Sequence, residues 1–274
     1  RALAEDKSDF AKLDASSADH YGELVALDRS VGMLRKKLRD SGIAENTLLV
    51  FNSDNGGLPG ITPETVGGLR GFKGSVYEGG LRVPAIIEWP SVIKPRVTSY
   101  PASTMDLFPT VADILKMPED VMIKPVDGRS LRPLFDGEIG SRKEPIPFRF
   151  GSKAALVDNR YKIMTENLEK GSFQLFDLEV DPNETQDITA EQPEMAERLK
   201  KQLLAWNETV NASFAGKDYP EGSVTPPDPE PVFWYETEAY KTQVAKWKDR
   251  WEYESYMNRQ AKGKKQEGKG KKKK

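Results

Sequence analysis

The chain has no cysteine among its 274 residues, so disulfides and thiol chemistry are excluded, although this does not settle the compartment. Nothing in it approaches the ~18 consecutive apolar residues that a membrane-spanning helix needs. Hydrophobic residues are also scarce, 37% against 31% charged, which leaves part of the length outside any core. Much of that excess lies at the end, where Lys262 to Lys274 holds eight lysines and one glutamate. Without it the rest carries 33 basic and 42 acidic side chains, so a net charge of -2 conceals an acidic body and a basic tail. An acidic body excludes nucleic acid as the main ligand, because phosphate neutralisation needs clustered Lys and Arg on a folded surface. The tail itself reads as a solvated, disordered extension, with attachment to an anionic polysaccharide or a membrane as the alternative.

From Ser17 to Ser41 the residues Tyr21, Leu24, Val25, Val31, Leu34 and Leu38 recur at three- and four-residue spacing, the mark of an amphipathic helix. Gly42 stands at the capping position beyond it. Asp28 shares a face with Leu24 and Val31 and is expected to be partly buried. Thr47 to Phe51 and Val83 to Trp89 read as strands covered on both faces, joined by a Gly- and Pro-containing loop. Ser103 and Asp106 form a capping box for a helix ending near Lys116.

After about Pro145 short strands are expected at Phe148–Phe150, Ala154–Val157, Tyr161–Met164 and Gln174–Leu178, then a helix over roughly Ala190–Trp206. The expected fold class is therefore α/β: part of a mixed or parallel sheet with flanking helices over 1–145, and a small antiparallel sheet with one helix over 146–214. A Pro-rich arm with a Trp-containing element, expected to be short and amphipathic, follows over 215–261, and the Lys-rich tail over 262–274.

The densest chemistry lies between the two expected strands. Asn52-Ser53-Asp54-Asn55-Gly56 sets two hard oxygen donors, Asp54 and Asn55, at the carboxyl end of the first strand, where ligands of open α/β sheets gather. A divalent-metal half-site and a plain strand-to-loop turn both account for that stretch. Gly71-Phe72-Lys73-Gly74 and Glu78-Gly79-Gly80-Leu81-Arg82-Val83-Pro84 follow, richer in glycine and charge than a simple connection requires.

With these motifs in this order the chain resembles the sulfatase family, formylglycine-dependent sulfuric ester hydrolases of the alkaline-phosphatase-like fold. The resemblance extends back to Asp28-Arg29-Ser30-Val31-Gly32 and on through Asp106-Leu107-Phe108-Pro109-Thr110 and Asp127-Gly128-Arg129-Ser130-Leu131. It ends with Leu175-Phe176-Asp177-Leu178 and Asp181-Pro182-Asn183-Glu184, and covers roughly Tyr21 to Trp206. It implies that Asp54 and Asn55 are metal ligands completing a Ca2+ site begun elsewhere, and that Lys73 contacts the sulfate oxygens. Glu78 and Arg82 are expected to pair and fix the loop that carries Lys73. His20, the only histidine, matches no active-site position of the family.

The catalytic formylglycine of the family forms within Cys/Ser-x-Pro-x-Arg, and no such run exists here; Ser99 precedes Pro101, but Ser103 stands where the arginine would be. The chain thus reads as the C-terminal portion of a longer enzyme, with formylglycine expected upstream and no activity expected alone. The implied partners are a sulfated small molecule or carbohydrate and the missing N-terminal half of the fold. An exported location, periplasmic or extracellular, follows from the family. A phosphodiesterase or phosphatase of the same superfamily, and a non-catalytic binding module, stay open as alternatives.

Overall fold

The computed structural model describes residues 13–218 and 237–247. The chain divides into two compact units, Arg1–Val224 and Thr225–Lys274. In the first, helix α1 (Ala15–Asp40) starts on Asp14, whose carboxylate accepts the Ser17 N–H at 3.0 Å and the Ser17 hydroxyl at 2.6 Å. It ends in a Schellman motif: Gly42, at φ +69°, donates to Arg39 C=O and Ile43 donates to Leu38 C=O. The helix is fastened at its start by Thr62 N–H to Ser17 Oγ and Tyr21 Oη to Pro63 C=O, and near its end by a two-pronged Arg35–Glu88 ion pair at 2.8 and 2.9 Å.

Only Ser17 of this helix is buried. Asp28, expected to be partly covered, is exposed, because the apolar face it shares meets no opposing layer among the described residues: Leu24 is 46% and Leu34 47% exposed. The same reason governs the first two strands. β1 (Leu49–Asn52) pairs antiparallel with β2 (Ala85–Glu88) in a two-stranded sheet, with Leu49 opposite Glu88 and Asn52 opposite Ala85. Cover on both faces is not met, since Ile86 is 62% exposed and every β1 residue is half-buried. Between these strands lies the short helix α2 (Glu78–Leu81), whose Glu78, Gly79 and Gly80 are buried.

The expected capping box is present: Asp106 accepts the Ser103 N–H at 2.8 Å ahead of helix α3 (Leu107–Ile114). Its carboxylate has a larger task. Asp106 and Arg142 form a bidentate pair at 2.8 Å through each prong, with side chains 0% and 1% exposed, and Asp106 also accepts the Arg129 N–H at 2.7 Å. This pair ties the segment before α3 to the segment entering the second sheet.

That sheet is a four-stranded antiparallel meander in sequence order, β3 (Ile146–Phe150), β4 (Lys153–Asp158), β5 (Tyr161–Thr165) and β6 (Gln174–Asp177). Helix α4 (Pro193–Phe214) begins with Pro193 in its first turn, where the missing N–H costs nothing, and runs past the expected end at Trp206. It lays Ala196, Leu199 and Leu203 on the face of the sheet formed by Ala154, Leu156, Ile163 and Leu175. The opposite face, Ala155, Met164 and Phe176 with the neighbouring Leu178, is closed by Val76, Tyr77 and Leu81. The meander is therefore covered twice, once by its own helix and once by the segment around α2.

In the second unit, helix α5 (Glu238–Trp247) matches the expected element around Trp247. Trp234, Trp251, the Pro-rich run 220–231 and the tail 262–274 lie outside the described residues. No helix among the described residues is long and apolar enough to cross a membrane.

The two arginine pairs should differ sharply in weight. Arg142→Ala leaves a buried carboxylate unpaired and should lower unfolding free energy by about 3–5 kcal/mol in urea titration. Arg35→Ala, on an exposed pair, should cost under about 1 kcal/mol; equal losses would contradict this account.

Candidate functional site

Asp54 and Asn55 stand just past the end of β1, in a turn closed by Ser53 Oγ donating to Asn55 C=O at 2.8 Å. Asp54 is exposed and Asn55 half-buried. The next two residues enter the α2 neighbourhood. Gly56 donates its N–H to Gly80 C=O at 3.0 Å, and a Cβ added at Gly56 would lie 1.8 Å from Gly79 O, a contact only glycine permits. Lys73 is exposed, and its backbone N–H donates to Gly57 C=O at 2.9 Å. The structure thus brings the Asp54–Gly57 turn and the Lys73 loop together through their backbones, with α2 as the third member.

What holds α2 in place is a buried charge cluster. Lys162, on β5, is 0% exposed; its Nζ donates to Glu78 Oε1 at 3.0 Å and lies 2.8 Å from Glu184 Oε1. Glu184 Oε2 accepts the Glu78 N–H at 2.6 Å, and Glu78 Oε2 takes Arg82 Nε at 2.7 Å. Arg70 joins from the Lys73 side: its guanidinium donates to Glu184 C=O at 2.7 Å, stacks 4.0 Å from the Tyr77 ring centre, and its own C=O accepts the Gly79 N–H.

The expected Glu78–Arg82 pair is therefore present, but as the outer half of a larger cluster. Lys162 and Glu184 were not singled out by their residue types or spacing. A lysine on an antiparallel strand reads as solvent-facing, and Glu184 was visible only as part of Asp181-Pro182-Asn183-Glu184. Glu184 holds φ +54°, rare for a residue with a side chain, because Asp181 ties down the loop beyond it by accepting the N–H groups of Thr185 and Gln186 at 2.7 and 2.8 Å. Burial pushes the Glu184 carboxyl above its ordinary range, against the pull of Lys162.

Chemically, the edge offers two oxygen donors of the kind hard cations take, Asp54 and Asn55, and an ammonium, Lys73, suited to a tetrahedral oxyanion. Among the described residues no three His, Cys, Asp or Glu side chains come together as a metal site.

Comparison with known proteins places the chain in the sulfatase family. The sulfatase family model matches residues 4–117, and that of the N-sulphoglucosamine sulphohydrolase C-terminal region matches 72–209. A sulfatase of Formosa agariphila is 31% identical over 222 residues, 70% of this chain and 40% of that protein. Human arylsulfatase A is 38% identical over 141 residues, 48% of this chain and 26% of that protein. The crystal structure of Ps i-CgsB in complex with k-i-k-neocarrahexaose superposes with a TM-score of 0.63 at 28% identity, covering 76% of this chain and 51% of that one. The chain spans well under half the length of the curated relatives it matches.

The cluster has a definite pH signature. A carboxyl whose folded pKa is raised binds its proton more tightly folded than unfolded, so its contribution is complete below the ordinary value of 4.5 and is lost as pH rises through the raised value. The stability of wild type minus that of Glu184→Gln should therefore fall as pH climbs above 4.5 in urea titrations. A difference that rises with pH would show that Lys162 outweighs burial.

Proposed function

Because the chain belongs to the sulfatase family, we propose that it forms the C-terminal part of an enzyme that hydrolyses sulfate esters of a carbohydrate or aryl alcohol. The observation that carries this reading is the backbone junction of Lys73 N–H with Gly57 C=O and Gly56 N–H with Gly80 C=O, which links the loop of oxygen donors to the loop of the ammonium. Lys73 binds and orients the sulfate group and stabilises the charge that grows on it as the ester bond breaks. Asp54 and Asn55 would hold Ca2+, which when bound neutralises sulfate charge and polarises the attacking group. Both residues carry the hard oxygens calcium prefers, yet they fill only a fraction of its six to eight positions.

The nucleophile lies outside this sequence, which has neither a Cys nor a Ser in the family's motif. Supporting this division, apolar side chains stand open on α1 (Leu24, Leu27), β2 (Ile86) and α3 (Phe108, Val111). They are the surface that an N-terminal half of the fold would cover. Export to the periplasm or cell exterior is the location that fits family membership.

The 274-residue chain alone should show no turnover of an aryl sulfate, and calorimetry should find Ca2+ binding no tighter than about 1 mM. Joined to the nucleophile-bearing segment encoded upstream, it should turn over, with Lys73→Ala lowering kcat by about 10²–10³. Turnover insensitive to Lys73→Ala would overturn the reading, and preference for a phosphodiester would favour the phosphatase alternative.

A further inference from the structure

The sheet face turned toward α2 continues past its cover. Phe148, Ala155, Met164 and Phe176 on that face pack with Val76, Tyr77 and Leu81. Phe150, two residues along β3 from Phe148, points to the same side but is 60% exposed. It stands beside the loop that carries the ammonium: a Cβ built on Gly74 would lie 3.8 Å from Phe150 Cε1, an ordinary van der Waals contact. Lys153, opposite Phe150 across the β3–β4 hairpin, fastens this corner by donating from Nζ to Gly74 C=O at 3.0 Å. Arg149, between the two aromatic positions, is engaged on the other face, bonded to Asn211 at 2.7 Å and lying over the Phe214 ring.

We propose that Phe150 is a specificity-determining residue, the platform on which the ring of the organic part of the sulfate ester rests while Lys73 holds the sulfate. The proposal depends on the reading of Lys73 as the anion's ligand. A compact ammonium recognises only the charged group common to all sulfate esters. Selection among alcohols needs a surface within one ring's reach of it, and an aromatic face beside an open glycine supplies that with little entropy to lose. The ring-bearing alcohol then sits between the loop of the first sheet and the hairpin of the second. Substrates without a ring, such as short alkyl sulfates, forgo that contact.

The test is an NMR shift titration of the full 274-residue chain with phenyl sulfate and with methyl sulfate. Wild type should bind phenyl sulfate more tightly, with the Phe150 ring signals moving only for that ligand. Phe150→Ala should weaken phenyl sulfate by about three- to tenfold and leave methyl sulfate unchanged, and Phe150→Tyr should restore the difference. The exposed position makes a folding defect an unsuitable explanation, and an unchanged unfolding midpoint checks it. Equal affinity of wild type for the two esters, or a Phe150→Ala chain that still discriminates, overturns the proposal. Binding of both esters that survives Lys73→Ala overturns instead the assignment of Lys73, and absence of any binding overturns both.

Discussion

The ammonium of Lys162, fully excluded from water between Glu78 and Glu184, is the constraint on which the rest of the site depends. Withdrawing one cation and two carboxylates from solvent is costly, and the attraction between them offsets that cost only when geometry and further hydrogen bonds are good. Here both carboxylates have additional donors: Glu184 takes the Glu78 N–H, and Glu78 takes Arg82. Half-exposed Arg82 brings the cluster to charge balance from the solvent side. Its members come from three segments, so the cluster can form only when α2, β5 and the loop after β6 have all reached their places.

From α2 the constraint passes outward by backbone alone. Gly80 C=O fixes Gly56, Gly57 C=O fixes Lys73, and Arg70 C=O fixes Gly79. Side chains would prevent these approaches: a Cβ on Gly79 would lie 2.2 Å from Gly71 O, and one on Gly80 2.4 Å from Ser75 O. The glycines of the Glu78-Gly79-Gly80 run are therefore packing requirements, and flexibility is the wrong explanation for them. Asp54, Asn55 and Lys73 are positioned by contacts in which their own side chains take no part, which leaves those side chains available for ligands.

Local features were legible in the residues because their causes are local. The Gly42 cap, the Ser103–Asp106 box and the Glu78–Arg82 pair each involve partners within a few positions, and the four strands of the meander follow from β-branched and apolar runs cut by turns. Asp106 was read as a cap, and its stronger partner Arg142, thirty-six residues on, carried no signal. Lys162 was hidden for a different reason. Alternation along β5 marks it as the solvent side of a half-buried sheet, and the rule fails because the segment from Val76 to Leu81 covers that side as well. Asp28 failed in the opposite sense: its helix has an apolar face with nothing among the described residues laid upon it.

That a charged cluster sits within the apolar packing on the second face of the meander has a structural logic. Around it the face is apolar, with Met164 and Phe176 flanking Lys162 along and across the strands, and a methionine at 162 would suit those neighbours. Apolar contacts, however, tolerate small slides of one layer over another, whereas hydrogen bonds and ion pairs do not. The Glu78 N–H meets one oxygen of Glu184, and its carboxylate meets Lys162 on one side and Arg82 on the other. A shift of α2 by one residue would break the contacts to Glu184 and Lys162 and leave buried charges unpaired. We infer that the cluster trades stability for register, holding α2 where its neighbouring loops can present Asp54, Asn55 and Lys73 along one edge. The small C-terminal sheet and the loop after it are on this account part of the site's frame, since they supply two of the three buried charges, Lys162 and Glu184.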